Sequence, residues 1–145
     1  MTAEHHAKTD RVERWIDLSV PASEVWAVIG DFTAFGDWYP DIESCERVEL
    51  EGDVYRHIKT SRGIMFIEKL EETGEDFHRY SIADGPLPVE NYLATLTCFD
   101  RKEGGCRVYW SAAYDAEDGA EVDPIVARIF ETGLEAIQAR FPSSA

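Results

Sequence analysis

A carboxylate interrupts an otherwise apolar row of side chains in the segment GIMFIEKLEE. The segment alternates as a β-strand does, and one of its faces carries Ile64, Phe66, Glu68 and Leu70. Burial would disfavour the charged form of Glu68, which suits a group that donates or accepts a proton. Glu68 is therefore the candidate catalytic residue, as a general acid or base. The alternative is that Glu68 lies near a strand end or pairs with an arginine.

Arg56 is the arginine best placed to be that partner. In DVYRHIKTS it shares a strand face with Val54 and Ile58, so we expect its side chain to point inward. A buried arginine needs a partner, and Glu68 is the obvious one. Together the two could hold a carboxylate or an enolate, or they could form a purely structural ion pair.

Two tyrosines add hydroxyl groups to the same predicted face of the sheet. DFHRYSI places Tyr80 with His78 and Ile82, and NYLATLTCF places Tyr92 with Ala94. A tyrosine ring offers apolar contact and its hydroxyl a hydrogen bond, so both suit a pocket wall. A core tyrosine bonded to backbone is the alternative for Tyr92. His78 lies near the start of its strand, and we expect it to be a solvated residue at the rim.

The composition excludes several classes of function. Asp and Glu total 29 against 14 Lys and Arg, and the formal net charge of −15 disfavours nucleic acid and anionic membranes as partners. No apolar run reaches about 18 residues, so we expect no membrane insertion. No G-x-G-x-x-G, P-loop, H-E-x-x-H or G-x-S-x-G motif occurs, and we expect no cofactor.

Cysteine and histidine usage predicts no metal site. Cys45, Cys98 and Cys106 are far apart and form no C-x-x-C pair, so we interpret them as small packed side chains. Their odd number and the lack of a secretory signal predict a cytoplasmic protein. His5 and His6 lie on a polar N-terminal stretch, where we expect no functional metal.

The chain has a length that suits one domain, and its periodicity predicts the elements that position these residues. A strand over 12–20 precedes a helix that starts at Pro21 and ends at Gly30, and a second short helix in FTAFGDW. After Pro40 the period changes to two. It then predicts strands at about 42–50, 53–61, 64–73, 77–83, 91–100 and 106–115. Their short turn-like connections predict an antiparallel sheet.

A long amphipathic helix is predicted at the end of the chain. Asp123 is a plausible N-cap and Pro124 a good first-turn residue. Its apolar face carries Val126, Phe130, Leu134, Ile137 and Phe141. We therefore expect a single domain over 12–141, with a disordered N-terminal tail over 1–11 and a C-terminal tail over 142–145.

This order of elements resembles the helix-grip fold of the SRPBCC superfamily. Its members include the START lipid-transfer domains, the birch-pollen-allergen family, the abscisic-acid receptors and the polyketide cyclase/dehydrase-like proteins. VPASEVWAVIGDF, the following W-Y-P, and the W-S of VYWSAAY are similar to superfamily segments. EKLEE and YSIADGPLPVENYLATLT are similar to the branch that holds the receptors and the polyketide-cyclase-like proteins. The resemblance spans residues 12–141.

The resemblance implies an α+β fold in which a curved seven-stranded antiparallel sheet wraps around the long C-terminal helix, with two short helices after the first strand. A cavity remains between sheet and helix if side chains do not fill it. Glu68, Tyr80 and Tyr92 match pocket positions of the receptors. DGPLPV is interpreted as a stiff lip at the cavity entrance, with a rigid hairpin connection as the alternative.

Strand parity and helix periodicity extend the set of candidate residues. Ala94 and Ala112 leave volume open, and Gly133 indicates close approach of backbone or ligand, since glycine inside a helix costs about 1 kcal/mol against alanine. Trp38 and Tyr39 would lie near the mouth, with ordinary packing as the alternative. The expected ligand-binding residues are Trp38, Tyr39, Arg56, Ile58, Phe66, Glu68, Tyr80, Leu87, Pro88, Tyr92, Ala94, Trp110, Ala112, Phe130, Gly133, Leu134 and Ile137.

Two features depart from the receptors. Where they place a lysine that meets a ligand carboxylate, this sequence has Glu43. The connection after Thr60 is only SRG, so the composition of the receptors' gate loop is absent. Hormone binding and a phosphatase partner are therefore not expected.

The predicted function is binding or transport of a small, mostly apolar ligand, such as a lipid, a polyketide-like molecule or an aromatic metabolite. One alternative is a cyclase-, dehydrase- or isomerase-like enzyme that uses Glu68 as acid or base. Another is a regulatory or interaction module without a ligand. The protein is expected to be a monomer or a homodimer.

Overall fold

The computed structural model describes residues 9–142. The first strand begins at Thr9, so residues 9–11 belong to it and the prediction of a tail over 1–11 is wrong for them. The remaining tail positions, 1–8 and 143–145, lie outside the described residues, as do His5 and His6.

The order of elements is the one that the sequence predicts. Strand β1 (Thr9–Leu18) is followed by helix α1 (Ala22–Ile29) and a 3-10 helix (Phe32–Asp37). The next six strands are β2 (Ile42–Leu50), β3 (Asp53–Thr60), β4 (Met65–Thr73), β5 (Phe77–Asp84), β6 (Val89–Asp100) and β7 (Cys106–Ala116). Helix α2 (Asp123–Arg140) ends the described chain, and no helix within residues 9–142 is long and apolar enough to cross a membrane.

The strands form one antiparallel sheet in the order β1-β7-β6-β5-β4-β3-β2. Consecutive strands from β2 to β7 are neighbours, as hairpins require. The last strand, β7, also pairs with the first strand, β1. The turn between β2 and β3 consists of Glu51 and Gly52, both at positive φ, the backbone that a two-residue hairpin turn needs. Register shifts in β4 and β6 bend the strands. The predicted α+β helix-grip fold is confirmed.

Helix α2 lies on the concave face of this sheet. Its buried residues are Val126, Ala127, Phe130, Gly133, Leu134 and Ile137, close to the predicted apolar face. The ring of Phe130 stacks on Trp110 of β7, with the two centroids 4.6 Å apart. Asp123 is not the N-cap, since Val122 occupies that position without a side-chain bond and Asp123 instead accepts a hydrogen bond from the hydroxyl of Tyr114. Side chains of both elements therefore fix the start of α2 on the sheet.

Gly133 marks the closest approach of α2 to the aromatic side chains beneath it. A Cβ at this position would lie 2.6 Å from Cζ3 of Trp110 and 3.0 Å from Cε2 of Tyr39. The close approach predicted from this glycine therefore exists, and packed side chains of the protein make it.

We expect Gly133→Ala to destabilise the fold. Overpacking of a tight core costs about 1–3 kcal/mol, and the better helix propensity of alanine recovers only about 1 kcal/mol. Urea unfolding should show a lower free energy of unfolding, while Gln138→Ala on the exposed side of the same helix should change it by less than about 0.5 kcal/mol. A more stable Gly133→Ala protein would contradict this account of the packing.

Candidate ligand-binding site

A pocket of about 410 Å³ lies between the concave face of the sheet and one flank of α2. Strands β2 to β7, the residues after β5, the 3-10 helix and the residues after it contribute its walls. Its lining residues are mainly apolar: Phe35, Tyr39, Ile42, Arg56, Ile58, Thr60, Ile64, Phe66, Glu68, Tyr80, Ile82, Pro86, Leu87, Pro88, Tyr92, Trp110, Ile125 and Ile129. This volume and this mixture are typical of small-molecule sites in proteins.

An ion pair between Arg56 and Glu68 forms the charged part of the wall. The hairpin register of β3 and β4 places the two residues directly opposite each other on the inner face. Both Nε and Nη2 of Arg56 lie 2.8 Å from Oε1 of Glu68, and Nη1 donates to the carbonyl of Phe32 at 2.8 Å. The arginine predicted to face inward thus has the predicted partner.

Aromatic rings surround the guanidinium of Arg56. Its central carbon lies 4.1 Å from the ring centroid of Phe32, 4.4 Å from that of Phe35 and 4.6 Å from that of Tyr80. The side chain is 2% exposed. Cation–π attraction is strongest when the cation is desolvated, so these rings compensate part of the solvation that Arg56 loses.

Glu68 is less enclosed than its partner. Its side chain is 12% exposed, and no donor among residues 9–142 bonds to its second oxygen, Oε2. Because Glu68 lines the pocket, Oε2 is an acceptor that a bound molecule could reach. Glu68 thus pairs with Arg56 and lines the pocket at the same time, although the sequence offered these as alternatives.

Three tyrosines supply further polar groups of the wall. The hydroxyl of Tyr80 accepts a hydrogen bond from Nε1 of Trp110 at 2.9 Å, and that of Tyr39 donates to the carbonyl of Ile129 at 2.9 Å. Burial raises the pKa of Tyr39 to about 12, and it also raises the pKa values of Tyr80 and Tyr92 above that of a free tyrosine. All three hydroxyls are therefore neutral donors at ordinary pH.

Most of the predicted site residues line this pocket. They are Tyr39, Arg56, Ile58, Phe66, Glu68, Tyr80, Leu87, Pro88, Tyr92 and Trp110. Their roles in ligand binding, and the catalytic role of Glu68, stay predictions.

The other predicted residues belong to the packed core instead. Trp38 lies edge-on against Phe35, with centroids 5.2 Å apart, and Ala94 and Ala112 are paired opposite each other under larger neighbours. The remaining residues of this group, Phe130, Gly133, Leu134 and Ile137, lie where α2 rests directly on the sheet. A buried helix face fills space where helix and sheet touch, so its residues leave no room for a ligand there.

Sequence reasoning missed several lining residues. Strand parity placed Ile64 with Glu68 and Ile82 with Tyr80, and it also places Thr60 with Arg56, but these three were not among the expected ligand-binding residues. The others are Phe35, Ile42, Pro86, Ile125 and Ile129. The last two lie on the flank of α2 beside its buried face, which periodicity alone does not distinguish from a solvated flank.

Glu43 does not enter the pocket. It lies on the edge strand β2, where its side chain is 55% exposed and its carboxylate forms an ion pair with Lys59 at 3.0 Å. The position at which the predicted likeness to the receptors would place a lysine is thus part of the surface in this protein. Within residues 9–142, no cluster of three or more His, Cys, Asp or Glu side chains is arranged to hold a metal ion.

Comparison with known proteins agrees with this architecture. The family model described as polyketide cyclase / dehydrase and lipid transport matches residues 9–142. The chain belongs to this family. The resemblance to the SRPBCC superfamily is thereby confirmed, whereas the closer likeness to the abscisic-acid receptors stays a prediction.

Solved structures share the fold of this protein. The protein XoxI from Bacillus cereus is 30% identical with a TM-score of 0.82, over 90% of this chain and 94% of its own. An uncharacterized protein from Bacillus thuringiensis is 29% identical with a TM-score of 0.81, over 91% and 98%. A protein from Thermobifida fusca is 25% identical with a TM-score of 0.79, over 90% and 92%. A search of curated proteins finds no significant match.

His78 is buried beneath the helices, so the prediction of a solvated rim histidine is wrong. The residue is 2% exposed, and its ring centroid lies 5.5 Å from those of both Trp26 and Phe32. The start of β5 is covered by α1 and the 3-10 helix, which the strand's own sequence does not reveal. Burial lowers the pKa of His78 from 6.5 to about 3, and the charge of Arg56 acts in the same direction.

We expect His78 to make the protein less stable in acid. Because its pKa is lower in the folded state, the unfolded chain binds the extra proton below pH 6.5, and stability falls as pH decreases toward 3. His78→Phe should flatten the pH dependence of the unfolding free energy between about pH 6.5 and 5 by up to about 1.4 kcal/mol per pH unit. If the unfolding free energies of the two proteins, measured in urea, depended equally on pH, folding would not exclude a proton from His78.

Proposed function

We propose that this protein binds and transports a small, mostly apolar ligand in the pocket between its sheet and α2. The observation that supports this proposal is an apolar pocket of about 410 Å³ that the packed core leaves open. Membership of the polyketide cyclase/dehydrase and lipid transport family points in the same direction. A lipid, a polyketide-like molecule or an aromatic metabolite would suit such a wall.

The pocket has an apolar mouth that a ligand could enter. Ile64 and Ile125 line it and are still 43% and 46% exposed. Pro86, Leu87 and Pro88 form the adjoining wall, and the carbonyl of Pro88 accepts a hydrogen bond from the backbone of Glu117 at 3.0 Å. The proline-rich segment is therefore the lip of the mouth in this proposal, held against the end of β7.

Binding can be measured with the neutral apolar fluorophore N-phenylnaphthylamine. We expect its emission to rise on addition of the protein and to fall when fatty alcohols or alkylphenols displace it. Ile129→Trp, which fills the pocket from α2, should weaken binding by about ten-fold or more, since side-chain atoms would take the space of ligand atoms.

Leu93→Trp is the matched control for the pocket-filling variant. Leu93 is 42% exposed and does not line the pocket, so this variant should bind the fluorophore as the wild type does. Equal binding by the wild type and Ile129→Trp would place the fluorophore elsewhere, and absence of binding by the wild type would contradict the proposed function.

A second candidate function is acid–base catalysis on the bound molecule. The observation that favours it is the free oxygen of Glu68 in an apolar pocket that Tyr80 and Tyr92 also line. A carboxylate held by Arg56 would act as a base, abstracting a proton beside a carbonyl, and the tyrosines would donate to the oxygen that gains charge. This geometry suits a cyclase, dehydrase or isomerase step.

Enzymatic function predicts slow conversion of aromatic ketones that bind in the pocket. Glu68→Gln should then lower the rate by about 100-fold or more with binding retained, since a positioned base contributes that much. Glu72→Gln is the matched control, because Glu72 lies on the same strand and pairs with Arg79 outside the pocket. Binding without turnover across the panel would exclude catalysis of this type and leave the transport proposal.

The proposal also covers the cellular location and the oligomeric state of the protein. The cysteines Cys45, Cys98 and Cys106 are free thiols, which fits action in the reducing cytoplasm, as a monomer or a homodimer. A regulatory module without a ligand would have no need of the open pocket, and that alternative is therefore less well supported.

A further inference from the structure

The charges in the pocket wall limit the kind of ligand that fits. Among the lining residues, Arg56 is the one cation and Glu68 the one anion. The two lie in direct contact, so together they add no net charge to the wall. The charge that a ligand senses therefore depends on which of the two groups it can contact.

Arg56 is closed to a ligand. Each of its three nitrogens contacts Oε1 of Glu68 or the carbonyl of Phe32, and the aromatic rings of Phe32, Phe35 and Tyr80 cover its guanidinium. With 2% of the side chain exposed, its remaining N–H groups are not accessible to a ligand carboxylate. A ligand carboxylate would have to displace Glu68 from this position to gain a positive partner.

Glu68 is the charged group that a ligand can reach. Its Oε2 has no donor among the residues described here, while Oε1 holds both nitrogens of Arg56. An ionised carboxylate accepts hydrogen bonds and donates none. A hydroxyl or N–H group of a ligand would satisfy Oε2, whereas a ligand carboxylate would bring a second negative charge into a poorly solvated wall.

We propose that the pocket selects neutral apolar molecules with a hydroxyl or N–H donor, which bonds to Oε2 of Glu68, and discriminates against carboxylates of the same carbon skeleton. The hydroxyl of Tyr92 is the second polar contact, since it lines the pocket without a hydrogen-bond partner in residues 9–142. This inference rests on the proposed function of ligand binding. It names alcohols and phenols as the ligand class and excludes free fatty acids.

A matched series of ligands tests the selection on the wild-type protein. Para-heptylphenol, para-heptylanisole and para-heptylbenzoate share one skeleton and present a donor, no donor and an anion, respectively. In calorimetry or displacement of N-phenylnaphthylamine, we expect the phenol to bind about ten-fold or more tightly than the anisole, since hydrogen bonds to charged groups contribute this much. The benzoate should bind more weakly still.

Variants of the ion pair should reverse or abolish this order. Glu68→Gln leaves the charge of Arg56 unbalanced, so the benzoate should gain at least about ten-fold in affinity while the phenol loses a similar factor. Glu72→Gln, the arginine-paired control on the same strand, should keep the wild-type order. Tyr92→Phe should weaken binding of the phenol by a few-fold and leave the affinity for the anisole unchanged.

A double variant covers the case in which Glu68→Gln does not fold. Arg56→Met with Glu68→Met replaces the pair by apolar side chains of similar length, an exchange that buried ion pairs often tolerate. It should bind phenol and anisole with equal affinity. Wild-type protein that binds the benzoate as tightly as the phenol overturns the selection and leaves ligand binding intact. Failure of all three ligands and of the fluorophore to bind overturns both the selection and the proposed function.

Discussion

The burial of Arg56 is the constraint on which the pocket end of this fold depends. A charge removed from water must find compensation in the protein, and Arg56 finds it in three elements at once. Glu68 comes from the neighbouring strand, the carbonyl of Phe32 from the 3-10 helix, and the ring of Tyr80 from β5. Loss of any one partner would leave part of this charge uncompensated. Arg56 therefore holds the 3-10 helix on the sheet and, with Glu68, fixes the wall that a ligand would meet.

The pocket exists because only one face of α2 packs on the sheet, while the flank beside that face does not reach it. At Gly133 the helix comes so close to Trp110 and Tyr39 that a single methyl group would clash. Along Ile125 and Ile129 the helix faces open space instead. Register shifts in β4 and β6 bend the strands, so the curved sheet cannot follow a straight helix everywhere. Tight packing on one side and a void on the other follow from the same geometry.

The sequence predicted the parts of the site that depend on local rules. Hairpin register and strand parity suffice to place Arg56 opposite Glu68 on the inner face, because neither depends on distant contacts. The prediction that His78 is solvated was wrong because α1, which comes from elsewhere in the chain, packs over it. Periodicity shows that Phe130 is buried, but it does not show whether a buried side chain meets another side chain or an empty space. Pocket and core become distinct only in the folded structure.

Stability alone does not account for the ion pair in this wall. Apolar side chains of similar volume often replace a buried ion pair without loss of stability, because desolvation of both charges offsets their attraction. An apolar pair at positions 56 and 68 could not hold a carboxylate oxygen toward the pocket, and an unpaired glutamate would be poorly solvated there. Arg56 compensates the charge of Glu68 through one oxygen and leaves the other accessible. The arrangement is thus better explained as a means of presenting an acceptor in an apolar site than as a source of stability.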